Sequence, residues 1–178
     1  MTVEIIAIIA IAAYCLSAGL WVFRQNSGLS SVFPQAFALL ALFAHALSHA
    51  VFWRMNQGPD VHFFAALSWT ALAMAVITAA LTARRPLSAL GILVYPIAAL
   101  SLLAYWRWGN HVPNTHDWRL KLHASFALLA YASLSIASLI AMLYWLQDRA
   151  LRRRHLQGWM GALPPLVQTE QLLFKTLG

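Results

Sequence analysis

Two histidines four positions apart, His45 and His49, sit inside the apolar run PQAFALLALFAHALSHAVFW (34–53). On a helix this spacing puts both imidazoles on one face, a turn apart. Imidazole exchanges protons near neutral pH, and in its neutral form it ligates iron, zinc or copper. No Asp, Glu, Lys or Arg lies well inside any long apolar run of this chain, so the imidazoles stand alone there. An ionisable group buried without a partner is costly, which makes an intramembrane histidine a pointer to function. The bland counterpart is a histidine that only hydrogen-bonds a neighbouring helix.

Other histidines extend the set: His62, His111, His116 and His123, with His155 near the far end. Haem iron takes axial ligands from separate elements. His45 and His49 project from one face and so cannot clasp one haem from both sides. A bis-histidine site needs the second apolar run plus another element, and His123 is the leading partner for His45. His49 reads as an auxiliary or packing group beside them. The stretch WRWGNHVPNTHDWRLK (106–121) adds Trp106, Trp108 and Trp118. Tryptophans at a membrane edge form an interfacial belt; with His111 and His116 they also suit a flat platform for a planar ligand such as haem b.

Other chemistries lack their residues. The few carboxylates cannot supply a nucleophile, base and orienting acid, so a membrane hydrolase is not expected and a non-enzymatic role is. The His45–His49 pair has no adjacent Glu of the metalloprotease type. No membrane carboxylate offers proton coupling for a driven transporter. A channel or transporter ranks below the other readings, because polar groups that would line a path are sparse. The lone Cys15 excludes an internal disulfide, a CxxC pair and a CxxCH haem attachment, and reads as a small packing residue buried in the first run.

The elements that must position these groups follow from composition. The 178 residues are 61% hydrophobic and 10% charged, with a mean hydropathy of +0.67. That suits a helical membrane bundle rather than a soluble domain. Five runs of about 20 residues or more, 3–23, 34–53, 63–83, 87–106 and 122–146, can each cross about 30 Å of hydrocarbon as helix. The expected fold is all-α: a polytopic five-helix transmembrane domain over 1–147, then a basic linker and interfacial amphipathic segment over 148–178. Leu166, Leu173, Phe174 and Leu177 share one face of that segment after a Leu163–Leu166 breaker. Within the bundle, Ala38, Ala41, His45, Ser48, His49 and Phe52 form one face of the second helix, expected to point inward because small residues admit neighbouring helices. A similar stripe, Ser133, Ala137 and Ala141, is expected to pack in the fifth. Pro96 is expected to bend the fourth.

The formal charge of +7 is distributed as a topology signal. Arg24, Arg84, Arg85, Arg149, Arg152, Arg153, Arg154 and Lys175 fall on one side; Arg54, Arg107, Arg119 and Lys121 fall on the other. The Lys/Arg excess marks the cytoplasmic side, which puts the N-terminus outside and the tail inside. All the histidines but His155 then lie in the outer half. No nucleic-acid motif accompanies the basic charge, so nucleic acid is not an expected partner. Glu4 and the length of the first run argue against a cleaved signal peptide.

ARRPLSALGILVYPIAALSLLAY (83–105), LHASFALLAYASLSIASLIAMLYWLQDRALRRR (122–154), FAHALSHA (43–50) and LPPL with TEQLLFKTLG (163–178) resemble the cytochrome c assembly family of membrane proteins, in its YpjD-type and HemX-like inner-membrane branch. That resemblance implies haem handling at the bacterial inner (cytoplasmic) membrane, with His45 and His123 matching iron-ligand histidines. WRWGNHVPNTHDW lacks the spacing of the family's WGxxWxWD signature. The chain ends at LFKTLG, where family members continue into further membrane helices. Beyond the lipid bilayer, the expected partner is therefore another membrane protein or the C-terminal helices of a longer form. The reading from sequence is a haem-handling membrane protein linked to cytochrome c assembly. Its alternative is a non-catalytic adaptor or accessory subunit that has lost cofactor binding.

Overall fold

The structure, a computed structural model, describes residues 2–55, 62–84, 88–109 and 118–152. Five α-helices follow one another: α1 (Thr2–Ser27), α2 (Val32–Met55), α3 (Phe63–Arg84), α4 (Ser88–Trp108) and α5 (Trp118–Arg152). There is no strand among the described residues. All five helices are long and apolar enough to cross a membrane, over Val3–Arg24, Val32–Met55, Phe63–Ala83, Ala89–Trp108 and Leu122–Leu146. The expected all-α membrane bundle is present.

Several helices outrun the expected spans, for local reasons. Ser27 Oγ donates back to the Phe23 carbonyl at 2.9 Å, and Gly28, at φ 66°, ends α1 in the left-handed region that glycine reaches without strain. Arg24 Nε donates to the Leu29 carbonyl at 3.0 Å and closes the turn. At the other end of the chain, the strong helix formers of LQDRALR carry α5 through to Arg152. The first residues of the basic linker are therefore helix. The amphipathic segment beyond, and His111, His116 and His155, lie outside the described residues.

α1 packs against α2 and α4, and α3 packs against α4 and α2, so the first four helices close a ring; α5 is appended, packing mainly on α3. Short connections make consecutive helices antiparallel neighbours. The starts of α1, α3 and α5 therefore share one end of the bundle with the ends of α2 and α4, here called the N-terminal end.

Much of the buried surface of α1 and α2 is alanine, with Tyr14, Trp21, His45 and His49 as the large exceptions. Ala7, Ala10 and Ala13 on α1, and Ala38, Ala41 and Ala44 on α2, are buried, while Ile8, Ile9, Leu16 and Phe43 face outward. Lipid is as apolar as a leucine side chain, so helices gain by close backbone approach rather than by hiding large residues. Gly91 is the extreme case: a Cβ there would stand 2.9 Å from Cδ1 and Nε1 of Trp21. α4 continues through Pro96 without breaking.

Two expectations need correction. The buried face of α5 is Ala132, Ile136, Ala137, Ile140 and Leu143, while Ser133 is half-buried and Ala141 exposed. The inward stripe is therefore rotated from the small-residue reading, because α5 meets α3 through branched aliphatics. Cys15 is exposed, not buried; its neighbours Tyr14 and Ser17 face inward instead.

Candidate functional site

The inward face of α2 carries its histidines into the ring as expected. Pro34, Ala38, Ala41, Ala44, His45, Ser48 and His49 are buried, and Phe52 is half-buried. His45 is fully enclosed and His49 is 3% exposed. Their rings stack with centroids 5.3 Å apart.

A hydrogen-bonded tetrad joins three helices around them. The Tyr14 hydroxyl of α1 is 3.2 Å from His45 Nδ1. Ser68 Oγ of α3 lies 2.9 Å from His45 Nε2 and 3.0 Å from His49 Nε2. A serine hydroxyl has one proton, so Ser68 donates to one imidazole and accepts from the other. With the Tyr14 phenol donating to Nδ1, His45 carries its proton on Nε2 and donates to Ser68. Ser68 then donates to His49 Nε2, which leaves the His49 proton on Nδ1. With the Tyr14 phenol accepting instead, every proton of the chain is reversed and the same three hydrogen bonds are kept.

Aromatic rings extend the tetrad in both directions. Trp69 of α3 stacks on His49 at 4.4 Å, and Tyr105 of α4 does so at 4.9 Å. Tyr105 in turn meets Phe52 at 5.2 Å and His62 at 5.7 Å. His62 stands at the N-terminal end, where its Nδ1 accepts from the backbone N–H of Phe64 at 3.1 Å and of Ala65 at 3.3 Å, capping α3. Towards the opposite end, Tyr14 stacks on Tyr95 of α4 at 5.8 Å. Beyond Tyr95 lie Thr78 and Thr82, and Gln35 Nε2 donates to the Thr82 carbonyl at 3.0 Å. Thr82 Oγ1 donates to the Thr78 carbonyl at 2.9 Å. A polar and aromatic seam thus runs through the ring.

The remaining sequence candidates stand apart from it. His123 is exposed on α5, and the substantial packing of α5 is on α3, not on α2. Trp106 is half-buried, while Trp108 is 59% and Trp118 66% exposed. Trp108 lies against Phe64 at 6.3 Å, whereas Trp118 holds the Arg119 guanidinium over its ring at 5.8 Å. They do not stack on one another among the described residues. No cluster of three or more His, Cys, Asp or Glu suited to a metal ion occurs among the described residues. A cavity of about 530 Å³ between α3, α4 and α5 is lined by Leu67, Thr70, Met74, Ile97, Leu134 and Ser138, without a histidine.

This geometry bears on iron ligation. A histidine that ligates through Nε2 keeps its proton on Nδ1. Both nitrogens of His45 are engaged, so serving iron requires it to release Tyr14 or Ser68. His49 has Ser68 on its Nε2 at 3.0 Å. Among the described histidines, His123 is the exposed one.

Sequence reasoning missed Tyr14, Ser68, Trp69, Tyr95 and Tyr105. Ser68 was within reach: Ala65, Ser68, Ala71, Leu72 and Ala75 are buried on one face of α3, a small-residue pattern like that of α2.

No curated protein and no solved structure matches the chain significantly. The family described as Cytochrome C assembly protein matches residues 31–178, from the start of α2 through all that follows. Both histidines of the tetrad and His123 fall within the matched region, and this chain belongs to the cytochrome c assembly protein family.

Proposed function

We propose that the protein handles haem b in the membrane during cytochrome c maturation, as a non-enzymatic member of the YpjD-type and HemX-like branch. Its orientation is N-terminus outside and C-terminal tail cytoplasmic in the bacterial inner membrane, following the Lys/Arg bias. The observation that carries this reading is the family match over 31–178 combined with histidines gathered towards the N-terminal end of the bundle. In this reading His123, exposed near the start of α5, is the iron ligand first met by haem. Trp108 and Trp118 supply planar apolar surface at the same end. His45 acts behind them, its position held by Tyr14 and Ser68. When bound, haem supplies the iron and the flat macrocycle; the chain supplies an imidazole and a boundary for the ring.

The test is complementation. Cells lacking the gene should lose c-type cytochromes, and the wild-type chain should restore them. His123→Ala should restore them poorly while accumulating normally in the membrane. Full restoration by both His123→Ala and His45→Phe would remove haem handling from the account.

A second reading, a membrane adaptor or accessory subunit, draws on α5. Besides its seat on α3, that helix exposes Phe126, Leu129, Leu134, Met142 and Trp145. Another membrane protein, or further helices of a longer form, would cover this face. Stable co-purification of a partner without a chromophore would favour it.

A further inference from the structure

We propose that the four-helix ring conducts protons along its interior, through the hydrogen-bonded chain Tyr14–His45–Ser68–His49, independently of any haem chemistry. Each link is a group that both donates and accepts, and the three hydrogen bonds of the chain measure 3.2, 2.9 and 3.0 Å. The chain crosses from α1 to α2, to α3 and back to α2. All four side chains are buried, Tyr14, His45 and Ser68 completely. Such a chain needs no membrane carboxylate.

The step balances as a hop followed by a turn. A proton arriving from water at the end opposite the N-terminal one is taken up at the Tyr14 oxygen as that oxygen passes its own proton to His45 Nδ1. The Nε2 proton of His45 moves to Ser68 Oγ, and the Ser68 proton moves to His49 Nε2. His49 releases its Nδ1 proton towards water at the N-terminal end. Four bonds to hydrogen form along the chain and four break, no net charge remains, and both histidines have exchanged tautomers. Rotation of the Tyr14 and Ser68 hydroxyls resets the two oxygens; each imidazole turns its protonated nitrogen to the forward neighbour, gives up that proton, takes the next one at its bare nitrogen and turns back with its original tautomer restored.

Polar groups continue the path at both ends. On the Tyr14 side, the hydroxyls of Tyr95 and Thr78 and the Trp21 indole N–H are buried and make no hydrogen bond of good geometry. Water is the ordinary partner of buried groups of this kind. Thr82 and Gln35 lead on from them towards the start of α2. On the His49 side, the rings of Tyr105 and then the half-buried His62, in ring contact rather than through a described hydrogen bond, stand between the tetrad and the N-terminal end.

The experiment uses the purified full chain in liposomes loaded with a pH-sensitive dye, with a potassium diffusion potential imposed by valinomycin. Wild type should move protons several-fold faster than protein-free liposomes. Ser68→Ala and Tyr14→Phe each remove one proton-bearing oxygen and should fall to the protein-free rate, while Ser68→Thr retains conduction. Tyr14→Phe keeps the ring stacked on Tyr95, so the test survives if Ser68→Ala fails to fold. A wild-type rate equal to that of protein-free liposomes, or undiminished rates in folded Ser68→Ala and Tyr14→Phe, would overturn the proposal. Either result leaves the haem spectrum free to report on the other reading.

Discussion

Ser68→Ala isolates the tetrad better than any other single change. One oxygen serves two imidazoles, at 2.9 and 3.0 Å, and the site is fully buried. Interhelical hydrogen bonds in membrane proteins average about 0.6 kcal/mol, so losing two gives about 1 kcal/mol. A buried nitrogen left facing a methyl group adds a desolvation cost of about 1–3 kcal/mol. The expected destabilisation is therefore about 2–4 kcal/mol, since neither histidine can turn to water. Ser48→Ala is the matched control. Ser48 is equally buried, but its hydroxyl donates only to the His45 carbonyl one turn back at 2.7 Å. Local bonds of this type on a helix contribute little, so Ser48→Ala should change stability by less than about 0.5 kcal/mol. Reversible unfolding in mixed micelles, followed by helicity, measures both. If Ser68→Ala proves no more destabilising than Ser48→Ala, the bridge between the histidines does not hold the ring together.

Further substitutions probe the rest of the bundle. Gly91→Ala places a Cβ 2.9 Å from the Trp21 ring; overpacking of about 1–3 kcal/mol should outweigh the gain in helix propensity of about 1 kcal/mol, lowering the thermal midpoint and shifting tryptophan fluorescence. His62→Ala removes the cap of α3 and should lose about 1 kcal/mol, with amide exchange rising in the first turn of α3 only. His123→Ala, at an exposed position, should leave the unfolding curve within about 0.5 kcal/mol of wild type, so any loss of cytochrome c maturation in that variant is functional rather than structural.

Hydropathy made the five helices legible, because a run long enough to span hydrocarbon is a strong signal. The inward face of α2 was legible too, since alanines, a serine and two histidines break an otherwise uniform surface. The faces of α1 and α5 were not. In a membrane helix every side is apolar, so periodicity no longer separates core from lipid. α1 buries Tyr14 and Trp21 with its alanines, whereas α5 turns Ile136 and Ile140 inward and leaves Ala141 outside. The partners of the histidines were hidden for a related reason. Tyr14, Ser68 and Tyr95 are 31, 23 and 50 positions from His45 in sequence, and only closure of the ring brings their elements together. The hydrogen-bond partners of each imidazole follow from that closure alone.

The central claim is that this member of the cytochrome c assembly family carries haem. It is tested most directly by the visible spectrum of the full chain purified in mild detergent from haem-replete cells, oxidised and then reduced. The account predicts a Soret band with sharp reduced α and β bands, lost in His123→Ala and retained, with shifted bands, in Ser68→Ala. A colourless, helical and monodisperse wild-type preparation would contradict it and leave the adaptor reading in its place.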